Sequence, residues 1–345
     1  MATEASELLP LNRVGLGLLV PGLAVVVLVS ATAAVVGMLE ARIIGRAIIE
    51  PLVLAIVIGM IVRTARGAST ATEPGVRFAA KEVLEVAVCL LGATMDVPRL
   101  FASGPALALG IVVLVCAALA CGYVIGRLLG LSRNLAVLVA CGNAICGNSA
   151  IAAVAPVIGA DREDVAAAIA LTAVLGIGVV LLLPLLIPLL GYSHYQYGVL
   201  AGLTVYAVPQ VLAAAFAVSA LSGQVATAVK LARVLMLGPV VTFFAIRAHR
   251  ASASTLSIRK LVPWFVVGFI ILAGLRSAGV ITESVGEAAK MVAGWLTIGA
   301  MAALGLSVDV RSVRRVGSRV TTAVAGSLVT LILLAVVLIK LLGIQ

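Results

Sequence analysis

The sequence predicts an all-α fold: a polytopic membrane helical bundle of about eleven transmembrane helices. Some of its helices are expected to be discontinuous. Three observations carry this. Of 345 residues, 63% are hydrophobic and 11% charged, where a soluble domain carries about 25% charged residues. Apolar runs of about 20 residues, the length that crosses a bilayer, recur along the whole chain. Two of them are interrupted at half-length by polar or helix-breaking residues, in Gly142–Ser149 and in Tyr206–Gln210. Irregular backbone survives at bilayer depth only against protein or a polar cavity, because unpaired amides are costly in hydrocarbon. Such interruptions are where transporter sites are sought.

The expected crossings run roughly 14–39, 48–62, 78–95, 104–127, 134–159, 164–190, 197–219, 223–246, 261–281, 286–307 and 320–342. They form one transporter domain over 1–345, with residues 1–47 holding an N-terminal tail and an additional first helix. The second crossing is short and begins near Pro51. The third carries Lys81, Glu82 and Glu85 in its first turns, which belong at the interface or against protein. The longest polar connections, Arg63 to Arg77 and Arg247 to Lys260, cannot separate soluble domains. Abundant Ala and Gly let helix backbones approach closely in lipid. Leu91-Gly-Ala-Thr-Met-Asp-Val97 ends the third crossing and Leu304-Gly-Leu-Ser-Val-Asp-Val310 the tenth. Seven crossings apart, they fall on opposite faces, as an inverted repeat requires; chance similarity of two helix exits is the alternative.

A net charge of +10 would point to nucleic acid in a soluble protein. Here no basic run carries interleaved aromatics, and basic cytoplasmic loops account for it, so no nucleic-acid partner is expected. The N-terminus and even-numbered loops hold Arg13; Arg63, Arg66, Arg77 and Lys81; Arg127 and Arg133; Arg247, Arg250, Arg259 and Lys260; and Arg311, Arg314, Arg315 and Arg319. Those are fifteen of 24 Lys and Arg, which sets the N-terminus in the cytoplasm and the C-terminus outside. Met1–Asn12 contains Glu4 and Glu7 and lacks a basic n-region, so no removable signal peptide is expected. Cys89, Cys116, Cys121, Cys141 and Cys146 lie in apolar runs without a CxxC pair, which indicates neither zinc nor disulfides. No metal or other cofactor is expected.

In the fifth crossing, Gly142, Asn143, Cys146, Gly147, Asn148 and Ser149 fall near the midpoint. If the helix unwinds there, a second half-helix starts near Asn148 or Ser149, residues favoured as N-caps. Its free N–H groups and positive dipole end form an anion site without a cationic side chain. The bland reading is a continuous helix packed closely at its glycines. In the seventh, Pro209 disfavours helix at Val208. Tyr206 and Gln210 then share a face one turn apart, with Thr204 nearby; a proline kink is the alternative. In the eighth, Lys230 and Arg233 lie three apart. Cations at that depth default to function, and snorkelling from a helix end competes. No Asp or Glu falls at the centre of any expected crossing, which disfavours a carboxylate relay. His194 and His249 lie in expected loops. No Ser/His/Asp set, HExxH or Asp-rich motif appears, so no enzyme and no catalytic residue is expected.

These residues resemble the YeiH-like family, multi-pass bacterial inner-membrane proteins named for sulfate export. The resemblance covers about Pro51 to the C-terminus, so residues 48–345 form the family core. It is carried by Cys141-Gly-Asn-Ala-Ile-Cys-Gly-Asn-Ser-Ala-Ile151 with Pro156, by Lys230-Leu-Ala-Arg-Val-Leu-Met-Leu-Gly-Pro239, by Val262-Pro-Trp-Phe265 and by Met301-Ala-Ala-Leu-Gly-Leu306. It implies an inner-membrane location and an inverted-repeat transporter fold. The family's His-Glu-x-x-Gln in the seventh crossing is here Tyr206-Ala-Val-Pro-Gln210. Only the Gln is kept, which puts any proton coupling through that pair in doubt. The expected function is secondary transport of a small anion, sulfate or a sulfonate. Half-helix amides would bind it, Asn143, Tyr206 and Gln210 would orient it, and Lys230 and Arg233 would supply positive potential. A cation/proton antiporter and a non-transporting receptor or scaffold are the alternatives. The partners expected are the anion and the bilayer, with homo-oligomerisation left open.

Overall fold

The computed structural model describes residues 16–44, 51–67, 69–94, 104–247, 264–308 and 317–344. The described residues are helical throughout, with short connections and no strand. The first group is α1 (Leu16–Ile44), α2 (Pro51–Arg66), α3 (Glu73–Phe78) and α4 (Leu84–Leu91), the last two joined by a π turn over Ala79–Val83. Then follow α5 (Gly104–Leu128), α6 (Arg133–Cys141), α7 (Asn148–Ile158), α8 (Arg162–Leu182), α9 (Leu186–Leu190), α10 (His194–Thr204) and α11 (Val208–Phe216). The chain ends with α12 (Ala220–Leu235), α13 (Leu237–Arg247), α14 (Trp264–Ser277), α15 (Glu283–Ser307) and α16 (Ser318–Leu341).

Two of the expected crossings do not cross. Asn134, at the start of α6, donates from Nδ2 to the carbonyl of Gly159, just past α7, at 3.4 Å. A straight helix would hold these residues about 38 Å apart. The reversal sits at Gly147, whose φ of 66° and ψ of −126° are open only to glycine. Likewise Tyr197 in α10 donates from its hydroxyl to the carbonyl of Ala214 in α11 at 2.9 Å. Ser222 Oγ at the start of α12 reaches the carbonyl of His194 at the start of α10 at 2.7 Å. The pairs α6–α7 and α10–α11 are therefore re-entrant hairpins, each entering the membrane and returning to its own side. Among the described residues, the expectation of about eleven crossings becomes nine elements that run between the two ends and two hairpins. Six of the nine are long and apolar enough to span alone: α1, α5, α8–α9, α12–α13, α15 and α16. The shorter α2, α3–α4 and α14 run between the same two ends.

Nine and eleven are both odd, so the charge-based orientation is unchanged, and Arg162 moves to the basic end with Arg133. The hairpins also define the repeat that sequence spacing did not. Hairpin α6–α7 enters from the basic end and α8 crosses away; hairpin α10–α11 enters from the opposite end and α12 crosses back. One two-part unit thus occurs twice, inverted. The two echo motifs agree as far as they are described: Gly286, near the start of α15, lies beside the carbonyl of Ala93 just past α4. The start of α15 meets the end of α4, so the motifs point to opposite ends. Residues 95–97 and 309–310 of the echo, with Val262 and Pro263 of the resemblance and His249, lie outside the described residues.

Packing divides the helices into two groups. The first four helices pack with α14 and α15, while the hairpins pack with α5, α8, α12 and α16. Glycines allow the tightest contacts. A Cβ on Gly59 of α2 would stand 2.5 Å from the carbonyl of Ala302 in α15, and one on Gly202 of α10 would stand 2.7 Å from that of Ala226 in α12. The hairpin α10–α11 touches the other group through α11 against α15.

Candidate functional site at the hairpin tips

The two tips meet. A Cβ on Gly147 would lie 3.3 Å from Cβ of Tyr206, the central residue of the break between α10 and α11. Each tip leaves carbonyls without helical partners on its incoming limb and N–H groups without partners on its outgoing limb. The first limb ends in a π turn over Gly142–Cys146. The second ends at Thr204, with Val205 extended.

Lys230 and Arg233 of α12 occupy the carbonyl side, and both are fully buried. Lys230 Nζ donates to the carbonyls of Ile145 at 2.5 Å and Val205 at 2.9 Å. Arg233 donates from Nη2 to Asn143 at 3.1 Å and Ala144 at 2.8 Å, from Nε to Ala144 at 3.2 Å, and from Nη1 to Gly202 at 2.9 Å and Val205 at 3.3 Å. The two cations therefore cap both incoming limbs together. Five carbonyls that hydrocarbon could not solvate are satisfied, and two negative dipole ends are met by positive charge. This rules out snorkelling, since neither head reaches a membrane face.

The outgoing side is more open. Asn148 and Ser149, the first two residues of α7, are exposed, while Gly142, Asn143, Cys146 and Gly147 are buried. The N-cap of α7 is Gly147, not Asn148 or Ser149, and no side chain caps it. Its first N–H groups are left to outside acceptors, because the asparagine is used otherwise: Thr172 Oγ1 in α8 donates to Asn148 Oδ1 at 2.8 Å. Tyr206 and Gln210 do not share a helical face, since Tyr206 stands in the break. Gln210 instead accepts from the backbone N–H of Ala207 at 3.2 Å and donates to the carbonyl of Ala173 in α8 at 3.5 Å. Thr204 is buried and bonds back to the carbonyl of Leu200 at 2.7 Å.

All ten sequence-derived residues thus belong to the hairpin tips or to the α12 segment that clamps them. Two polar atoms there are buried without a partner, Asn143 Oδ1 and the Tyr206 hydroxyl; Nδ2 of the same asparagine donates to the carbonyl of Val324 in α16 at 3.1 Å. Sequence reasoning missed the α8 side. Thr172, Ala173 and Gly176 form the strip that links Asn148 to Gln210, and a Cβ on Gly176 would strike the Gln210 amide at 2.5 Å. The one available signal was a lone threonine followed by glycines in an otherwise apolar run. No group of His, Cys, Asp or Glu among the described residues is arranged to hold a metal.

The fold and this site define a class: an all-helical polytopic membrane protein whose inverted re-entrant hairpins meet at mid-depth over a buried cation pair. A family model described as "Conserved hypothetical protein 698" matches residues 21–324, and the chain belongs to that family. It is 50% identical over 327 residues to a UPF0324 membrane protein of Brucella suis biovar 1, covering 94% of this chain and 97% of that one. It is 47% identical to a UPF0324 membrane protein of Bradyrhizobium diazoefficiens, over 93% and 92% of the two chains. A UPF0324 membrane protein of Bacillus anthracis is 35% identical, over 86% and 88%. No solved structure matches the chain.

Proposed function

We propose that the protein is a secondary transporter for a small anion, with sulfate and organic sulfonates as the leading substrates, working by alternating access at the hairpin tips. The observation that carries this is charge. Among the described residues the only fully buried charged side chains are Lys230 and Arg233, and no carboxylate is buried with them. Four half-helix ends, about half a charge each, cancel: two C-terminal ends offset two N-terminal ends. With both side chains protonated, a charge near +2 stands between the tips without a counter-ion among the described residues, and an anion can neutralise it. Its direct contacts are the orphan N–H groups of Asn148 and Ser149 with the Asn148 amide nitrogen and the Ser149 hydroxyl, and the Tyr206 hydroxyl is the donor in reserve. A cation/proton antiporter would need a buried carboxylate relay, so the same charge balance weighs against it. In this reading the helix group of α1–α4, α14 and α15 and the group bearing the hairpins shift against each other to open the site to either side. The protein resides in the bacterial inner membrane with its N-terminus in the cytoplasm, as the basic loops direct.

Counterflow of labelled sulfate and of a small alkylsulfonate in proteoliposomes tests this. Saturable flux is expected, reduced at least tenfold by combined Asn148→Leu and Ser149→Leu. Flux unchanged by that pair removes the site. Binding without counterflow favours a receptor, and proton movement driven by a sodium or potassium gradient revives the antiporter.

A further inference from the structure

A cavity lies away from the hairpins, at the basic end. Its volume is about 430 Å³, and it is bounded by the ends of α2 and α15, the start of α3 and one turn of α1. Three arginines line it: Arg63 and Arg66 from the last turns of α2, and Arg77 from α3. The only carboxylate lining it, that of Glu73, is already bound to Arg77 at 2.6 Å. Neither Arg63 nor Arg66 has an ion-pair partner among the described residues. The lining therefore carries two positive charges in excess. Thr72 and Ser307 also line it, their hydroxyls donating to the carbonyls of Ser69 at 3.3 Å and Ala303 at 2.8 Å, and Val25, Val62 and Leu306 supply an apolar floor.

Basic loops on the cytoplasmic side are general, but they do not explain a concavity. Side chains that only set topology need no shared pocket and no common apolar floor. Guanidinium groups fork onto phosphate oxygens in a bidentate way that a lone ammonium cannot match. The volume lies in the range of small-ligand sites, about 300–1,000 Å³. Basic pockets between helix ends on this side of a membrane are the setting in which anionic headgroups are held.

We infer that the Arg63–Arg66–Arg77 cavity is a binding site for a phosphate-bearing group, either the headgroup of an anionic phospholipid or a small soluble organic phosphate. The occupant bridges α2, α3 and the end of α15, and so braces the helix group opposite the hairpins. This inference needs no assumption about the transported substrate, and its test reads binding and stability, not flux.

The test uses the full-length protein in neutral-lipid nanodiscs at fixed ionic strength. One arm adds phosphatidylglycerol or cardiolipin to the disc lipid; the other adds glycerol phosphate or inorganic phosphate to the buffer, with chloride as control. A saturable rise in melting temperature is expected in one arm, since a ligand that binds only the folded state raises it by mass action. The arm that responds names the source. Combined Arg63→Gln and Arg66→Gln should weaken the apparent affinity at least tenfold, while Arg133→Gln with Arg319→Gln, exposed arginines outside the cavity, should leave it within twofold. No rise in either arm overturns the site. Equal weakening by both double variants overturns it too, because it marks general charge attraction.

Discussion

Arg233 and Lys230 are costly residues to bury, and their surroundings explain why they are tolerated. In hydrocarbon a carbonyl without a donor has no water to turn to, and the two tips leave five such carbonyls within reach of these side chains. Arg233→Lys keeps the charge but loses the planar fork that spans both limbs. Each buried acceptor left bare costs about 1–3 kcal/mol. The expected loss is about 3 kcal/mol, seen as a lower thermal midpoint in detergent, and an unchanged midpoint would count against the clamp. Tyr206 makes the opposite case. Its hydroxyl is buried without a partner, so Tyr206→Phe removes an unsatisfied group of the kind that costs about 1–3 kcal/mol. The expected result is a higher melting temperature together with at least tenfold weaker anion binding. Parallel movement of stability and binding would instead assign the residue a packing role.

At the scale of elements, the places where helices break were legible in the sequence and the direction taken afterwards was not. Gly142, Gly147, Asn148 and Pro209 punctuate apolar runs, and α7 does begin at Asn148. A run of 26 residues, however, has the same hydropathy whether it passes straight through or folds back on itself. What decides is one torsion at Gly147 and contacts such as Asn134 with Gly159, which no local pattern announces. The role of Lys230 and Arg233 was hidden for a related reason, since their carbonyl partners lie 25 to 90 residues away in the chain. The reversal at Gly147 makes the hairpin sensitive at one position. Gly147→Ala puts a Cβ on a backbone conformation that costs about 1–3 kcal/mol and presses it against Tyr206. Expected is a loss of at least 1 kcal/mol in stability with anion counterflow abolished, while Gly178→Ala, where a Cβ meets nothing within 4 Å, should leave both unchanged.

For the molecule as a whole, the re-entrant topology changes which loops share a side, and that is directly measurable. Eleven straight crossings would place the connection before α6 and the one after α7 on opposite faces. Two hairpins place them together: Ser132 Oγ, before α6, donates to Asp164 of α8 at 2.8 Å. The same holds at the other end, where the starts of α10 and α12 touch. The charge pattern agrees, because the hairpin α6–α7 moves Arg162 onto the face that already holds Arg127 and Arg133, sharpening the bias that orients the chain. In a background with the five native cysteines replaced, single cysteines at Arg133 and Asp161 should react with a membrane-impermeant thiol reagent from one side of oriented vesicles. Cysteines at His194 and Ala220 should react from the other. Labelling of 133 and 161 from opposite sides would restore the straight-crossing topology. It would also separate the tips, and with them the meeting of Gly147 and Tyr206 on which the proposed anion site rests.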